Sequence, residues 1–308
     1  MQTLTFTGFN DIMQITGTEL HLLAVFDSVV RNNGFSAAQA ELGLSQPTIS
    51  NHISALEQRL GVKLCDRGRR GFLLTDKGQI VHELSQSLLV TIKDHASKFA
   101  ELKGNLVGHL RIAVVDCLAT DPKFRVPQAI SDFTKVAPAV KIEMSIEDPQ
   151  DILVGLRDGS FHVGVGGFDN FLNGLKFKQV YDEKHALYCG EGHELFSVKE
   201  EELEKLDLSE YAWAQRGYWS RQRQRSRPAT DYDVSVQEIE SQIMLILSGC
   251  YLGLLPCHAA EYHLQTGRMR QLPFDDEHTS PSIYIVTKSG VLPSVTEQFV
   301  RLLAAEYK

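Results

Sequence analysis

The stretch GFSAAQAELGLSQPTISNHISALEQRLG, residues 34–61, constrains the fold more than any other part of the chain. Ser36 and Gln39 have capping-box spacing, and the helix they open, 37–42, stops at Gly43. Ser45 caps a following helix with Pro47 in its first turn, where a missing N–H costs nothing. That helix runs to Leu60, with Gly61 beyond it. Ile49, Ile53, Leu56 and Leu60 recur at helical spacing, so one face is buried. The opposite face carries Pro47, Asn51, Ser54 and Gln58, flanked by Thr48 and Ser50, with Gln46 at the start. Asn and Gln pair with adenine edges, and Ser and Thr reach bases or phosphates. Two short helices joined by a glycine turn, the second with such a face, form the helix-turn-helix pattern. The expected DNA contacts are therefore Ser36, Ser45, Gln46, Pro47, Thr48, Ser50, Asn51, Ser54 and Gln58.

The flanks agree. Thr16 and Glu19 match a capping box ahead of an apolar stripe (Leu22, Leu23, Phe26, Val29, Val30), a helix closing near Asn33-Gly34. The chain carries a net charge of −8, so nucleic-acid binding needs a locally basic segment. One exists: Arg59, Lys63, Arg67, Arg69, Arg70 and Lys77 outnumber Glu57, Asp66 and Asp76 between residues 51 and 77. In DRGRRGFLLT, two glycines bracket Arg69-Arg70 ahead of a β-prone run. This reads as a two-stranded wing whose Arg67, Arg69 and Arg70 lie near phosphates or a minor groove, or equally as a solvated basic turn. Thr75 then caps a long helix over about 76–103. Its stripe (Ile80, Val81, Leu84, Leu88, Leu89, Ile92, Ala96, Phe99, Leu102) is near a heptad seam, suited to pairing with a second copy. Packing on its own domain is the alternative.

SQPTISNHISALEQRLGVKLCDRGRRGFLLTDKG resembles the DNA-binding segment of LysR-type transcriptional regulators, and the resemblance extends through the long helix. Asn51 stands where that family usually has a basic residue and Cys65 where it usually has Phe. GHLRIAVV, DGSFHVGVGG and ILSGCYLGLLP continue the resemblance more weakly. The implied fold is α+β in two parts: a winged helix-turn-helix with a long linker helix, then a two-lobed α/β effector domain similar to periplasmic binding proteins. The implied boundaries are an extension at 1–17, the DNA-binding domain at 18–75, the linker helix at 76–103 and the effector domain at 108–308. Lobe I takes 108–182 and 280–308, and lobe II takes 183–279.

The residues themselves support an α/β second half. Strand patterns at 109–115, 140–147, 162–166, 175–182, 185–190, 211–215, 251–256 and 282–288 alternate with helical ones at 126–136, 151–157, 237–248 and 294–306. Ligands of open α/β sheets sit beyond the carboxyl ends of strands. Those ends offer Asp116, Cys117, Leu118 and Thr120, then Glu147 and Asp148, then Gly166, Gly167 and Phe168. The other lobe offers Gln215, Arg216, Tyr218, Arg221, Pro256 and His258, with Glu240 near a helix start whose N–H groups suit a carboxylate. Arg216 and Arg221 begin an arginine-rich run, 216–227, and could clamp an anion. A small carboxylate or amino acid is the expected effector, while Asp116, Glu147 and Asp148 would equally favour an amine.

Other classes find less support. Five cysteines, odd in number and without CxxC spacing, fit reduced thiols in a cytoplasm. No apolar run approaches the roughly 18 residues of a membrane span, and the N-terminus has no basic leader. His185, Cys189, His193, Cys257, His258 and His263 lack the paired spacing of a zinc site, so no metal or cofactor is expected. No catalytic set with defined spacing appears, so no enzyme is expected. The expected partners are double-stranded DNA, a small effector and further copies of the chain in a dimer or tetramer, with RNA polymerase an open addition and no membrane. Two alternatives stay open: a redox-sensing regulator using Cys117, and a small-molecule binding protein whose N-terminal helices only dimerise.

Overall fold

A computed structural model describes residues 15–68, 71–101, 106–203, 205–217, 233–274 and 280–307. The chain divides into two compact units, residues 1–95 and 96–308.

The first unit begins with α1 (Gly17–Arg31), opened by the Thr16/Glu19 capping box. The short α2 (Ala38–Leu42) differs from expectation at its start. Ala37 is its helical N-cap and makes no side-chain cap bond. Ser36 instead accepts from the Gln39 amide through its own Oγ (3.4 Å) and carbonyl (3.3 Å), because the chain is already turning before it. The third helix, α3 (Gln46–Leu60), is capped by Ser45 Oγ and ends at Gly61, whose φ of 67° needs glycine. Ile49, Ile53 and Leu56 are wholly buried against Leu22, Phe26 and Val29 of α1.

A two-stranded wing follows, β1 (Cys65–Gly68) antiparallel to β2 (Gly71–Leu74). Its tip, Arg69-Arg70, lies outside the described residues. The long α4 (Asp76–Glu101) is entered through Thr75, whose Oγ1 accepts from Gly78 N (2.9 Å) and donates to the Lys63 carbonyl (2.7 Å). His82 on α4 meets Asp27 on α1 at 3.2 Å. Val81 and Leu88 face the core, whereas Ile80, Leu84 and Ile92 stay exposed.

The second unit holds both lobes. Lobe I is built from β3 (Gly108–Val114), α5 (Val126–Val136), β4 (Val140–Ile146), α6 (Pro149–Asp158), β5 (Val163–Gly167) and β6 (Leu175–Asp182). Lobe II follows with β7 (His185–Gly190), α7 (Glu200–Leu203), β8 (Ala214–Arg216), β9 (Val234–Val236), α8 (Ile239–Leu247), β10 (Gly253–Pro256), α9 (Cys257–Gln265) and β11 (Met269–Leu272). The chain returns to lobe I through β12 (Ser282–Lys288) and α10 (Ser294–Ala305).

The lobe I sheet has the order β4-β3-β5-β12-β6. Its first three strands are parallel and β12 runs antiparallel between β5 and β6. Parallel strands need crossover connections, and α5 and α6 supply them. Lobe II is smaller and centres on the antiparallel sheet β10-β7-β11. Along β7, Leu187 and Cys189 enter one apolar cluster and Tyr188 the other, the period-2 pattern of a strand covered on both faces.

Gly78 shows why a glycine stands inside a helix. A Cβ there would lie 1.9 Å from the Leu64 carbonyl oxygen. Helix propensity alone would favour alanine by about 1 kcal/mol, but overpacking against backbone costs about 1–3 kcal/mol. Gly78→Ala is therefore expected to lower the stability of the N-terminal unit, read as an earlier urea midpoint followed by circular dichroism.

Candidate DNA interface and effector cleft

The face of α3 opposite its buried stripe is open to solvent. Ser45, Gln46, Pro47, Asn51, Ser54 and Gln58 are exposed, and Thr48 and Ser50 are half-buried. Ser36 is exposed ahead of α2. Thr48 Oγ1 lies 2.8 Å from Ser45 Oγ, so these two hydroxyls first serve the helix cap. The basic excess is smaller in effect than its count implies. Arg59 pairs with the buried Glu19, and Lys63 pairs with Asp66. Glu57 Oε1 accepts from Leu64 N (2.8 Å) and Cys65 N (3.4 Å), fixing the entry to the wing. Arg59 thus serves the packing of α3 on α1.

The second site lies between the lobes. Asp116, just beyond β3, meets Arg216, the last residue of β8, in a two-pronged ion pair of 2.8 and 3.0 Å. Arg216 is 2% exposed. Asp116 Oδ2 also accepts the N–H of Ile239 at 2.6 Å, the first residue of α8. A helix N-terminus and a guanidinium fork both favour an anion. Here one protein carboxylate occupies both.

A narrow pocket beside this pair is lined by Gly167, Glu183, His185, Gln242, Leu254, Pro256 and Ile283 among others. A second concavity shares Asp116 and Arg216 with it and is bounded also by Glu147, Asp148, Asp151 and Glu238. Asp148 is the N-cap of α6 yet makes no side-chain cap bond. Burial, with the charges of Asp151, Asp116 and Glu238, raises its pKa against the pull of Arg216. Gln242 is 1% exposed, and its amide N–H donates to the Ala214 carbonyl at 2.8 Å. Its Oε1 is buried without a hydrogen-bond partner.

A further network crosses the lobes beside the pocket. Glu183 accepts from His185 Nε2 (2.7 Å) and His258 Nε2 (3.0 Å), and Thr120 Oγ1 meets His258 Nδ1 at 2.8 Å. Burial would raise the Glu183 pKa, but the two imidazoles outweigh it and hold it at about 2. Burial would lower that of His258. Contacts with Cys117 and Glu183, with the charges of Glu183 and Asp121, raise it to about 9. Asp121, Glu183 and His258 bring their ligand-type atoms within 4.8 Å of one another.

Of the residues expected to meet an effector, Asp116, Asp148, Gly167, Arg216 and Pro256 line these two spaces. Others do not line them. Leu118 and Phe168 are 2% and 3% exposed and belong to the lobe I core. Gly166 faces Val115, where a Cβ would come within 2.5 Å. Gln215 bonds Asp233 (3.0 Å), and Glu240 points to solvent from the first turn of α8. Cys117, at a left-handed φ of 63°, and Thr120 belong to the His258 network instead. Tyr218 and Arg221 lie outside the described residues. The sequence reading missed Glu183 and Gln242. Gln242 did carry a signal: in IESQIMLIL it is an amide on the same helical face as Ile239 and Ile246.

This architecture, a winged helix-turn-helix ahead of a two-lobed domain with a polar cleft, defines a ligand-responsive DNA-binding protein. Residues 20–79 match the model of the bacterial regulatory helix-turn-helix protein, lysR family, and residues 103–308 match the LysR substrate binding domain. The chain belongs to the LysR family of bacterial transcriptional regulators, as a DNA-binding regulator with an effector-binding domain and not an enzyme. It is 34% identical over 293 residues to the HTH-type transcriptional activator BauR of Pseudomonas aeruginosa, covering 94% of this chain and 96% of that one. Crystal structures of CbnR, a LysR family regulator, share the fold at 17% identity and a TM-score of 0.65, covering 94% of this chain and 99% of CbnR. CbnR complexed with its target DNA aligns with the same coverage at 19% identity and a TM-score of 0.63. Among the described residues, no helix is long and apolar enough to cross a membrane.

Two outcomes follow from the cleft. Arg216→Met leaves Asp116 without its counter-charge, and breaking a buried pair costs about 3–5 kcal/mol. Thermal unfolding should show a large loss that Asp116→Leu in the same chain mostly restores. The pH dependence follows from the second network. His258 is raised from 6.5 to about 9, so its contribution is full below pH 6.5 and is lost as pH climbs through 9. Glu183 is lowered from 4.5 to about 2, so its contribution is full above pH 4.5 and is lost as pH falls through 2. Tm should fall between pH 6.5 and 9.5, and His258→Gln should flatten that fall.

Proposed function

We propose that two copies of this chain place α3 in successive major grooves, with Gln46, Pro47, Asn51, Ser54 and Gln58 toward the base edges. Ser36, Ser45, Thr48, Ser50, Arg67, Arg69 and Arg70 hold the backbone. One observation carries this reading: α3 is buried on its apolar side and exposes small and amide side chains, with Arg59 near its end, on the other. An interaction helix would expose apolar residues there, which weighs against a purely dimerising module. The exposed Ile80, Leu84 and Ile92 of α4 support pairing of two chains along that helix, in a homodimer or a homotetramer of such pairs. The cytoplasm is the proposed location, and RNA polymerase is the proposed further partner if the chain activates.

The cleft around Asp116, Asp148, Gly167, Arg216 and Pro256 is proposed as the effector site. An effector acts there only by binding one arrangement of the lobes better than another. The redox alternative keeps one observation, since Cys117 lies against Thr120 and the His258 imidazole.

The test is fluorescence anisotropy with DNA from upstream of the protein's own gene at physiological salt. The wild type should prefer this DNA over scrambled duplex. Asn51→Ala should lose about 1–3 kcal/mol of that preference. Replacing Arg69 and Arg70 with alanine should weaken all duplexes alike and flatten the salt dependence. Equal affinity for scrambled DNA would refute the assignment. Leu84→Lys should shift the molecular mass in light scattering toward the single chain.

A further inference from the structure

The inter-lobe cleft has a chemical bias, and this inference rests on its being the effector site. The devices that would hold a carboxylate are already used: both terminal nitrogens of Arg216 and the first N–H of α8 go to Asp116. Arg216 is also the one cationic side chain bounding the outer concavity among the described residues. Once it is paired with Asp116, the carboxylates of Glu147, Asp148, Asp151 and Glu238 remain around that concavity. None of the four is in an ion pair among the described residues. Asp148 could have served as a helix cap but makes no such bond. A ligand carboxylate entering here would have to displace Asp116 and face this set.

A second, independent observation lies deeper. Gln242 is 1% exposed, and its orientation is fixed by the bond from its N–H to Ala214. That leaves Oε1 as a buried acceptor without a partner, on a residue that lines the pocket. Buried polar atoms are normally satisfied, so such an acceptor favours a ligand that brings a donor. Val115, Ile239, Leu254 and Ile283 give the lining of that pocket an apolar part.

We propose that this cleft takes an organic ammonium ion. Its cation sits among Glu147, Asp148, Asp151 and Glu238, its short alkyl body lies along the apolar wall, and a donor at its inner end reaches Gln242 Oε1. The ligand class is an aliphatic amine, most simply a diamine, for which a carboxylate group is not required. The Asp116–Arg216 pair stays intact as the floor on which the ligand lies.

Isothermal titration calorimetry of the full chain with 1,4-diaminobutane and with succinate separates the alternatives, because the two share a four-carbon skeleton and differ in end groups. The diamine should bind with one site per chain and succinate should not. Asp148→Asn combined with Asp151→Asn should weaken the diamine by about tenfold or more, as expected when close charge partners are removed. Gln242→Met should weaken it independently. Diamine binding that both variants leave unchanged would be a surface ion atmosphere and would overturn the proposal. So would tighter binding of succinate, or no diamine binding at millimolar concentration. Succinate binding that is lost in Gln242→Met would keep the cleft as the effector site while discarding the amine. Anisotropy with the upstream DNA on the same preparation judges the regulator reading separately from either result.

Discussion

The second unit turns on one carboxylate. Asp116 leaves the end of β3 in lobe I and ends on Arg216 and the first turn of α8 in lobe II. A buried guanidinium needs a counter-charge and acceptors, and a helix N-terminus leaves N–H groups to satisfy. One side chain meets part of both needs, and this couples the lobes. The Glu183–His258–Thr120 network adds a second polar link across the same gap. Apolar packing, by contrast, is largely partitioned by lobe: one cluster fills lobe I and two smaller ones fill lobe II. Inter-lobe geometry therefore depends on charge and hydrogen bonding more than on the hydrophobic effect.

The N-terminal unit uses charge differently. Its basic tract looks like a uniform phosphate-binding surface in the sequence, but Arg59 and Lys63 are spent on Glu19 and Asp66. Glu57, which lowers the local charge, holds the turn into the wing by accepting two backbone N–H groups. Gly78 likewise serves packing, by letting α4 start against the Leu64 carbonyl. The face of α3 is thereby presented by a scaffold that these contacts hold in place.

What the sequence made legible was local. Capping at Thr16, Ser45 and Thr75, the glycine stop at Gly61 and the period of α3 depend on neighbours within a turn, and each appears in the structure. The strands of lobe I were legible for the same reason. The α2 cap was misread because Ser36 has the right spacing to Gln39 but the helix begins beyond it. The site was legible only as a set of strand ends. Asp116 and Arg216 were both legible as candidates for the cleft they line, but not the contact they make with each other across 100 residues of chain. No periodicity encodes that pairing. Glu183 was missed because its partners, His185 and His258, come from a neighbouring residue and from a helix 75 residues away.

This wiring limits how an effector can act. A ligand that moves a lobe equilibrium from 1:99 to 99:1 must bind the favoured arrangement about 10⁴-fold more tightly. Competing with Asp116 for Arg216 and the N-terminus of α8 would spend much of a small ligand's binding energy on replacing bonds already made. A ligand that leaves this pair alone and answers the unpaired carboxylates of lobe I together with those of lobe II gains from both lobes at once. Asp148 and Asp151 start α6 in lobe I, while Glu238 and Gln242 belong to the start of α8 in lobe II. On the proposed reading, a cation between them would draw the lobes together against the repulsion of their like charges. On the same reading, the surplus of acid around the second concavity would supply both the affinity and the differential that a switch requires.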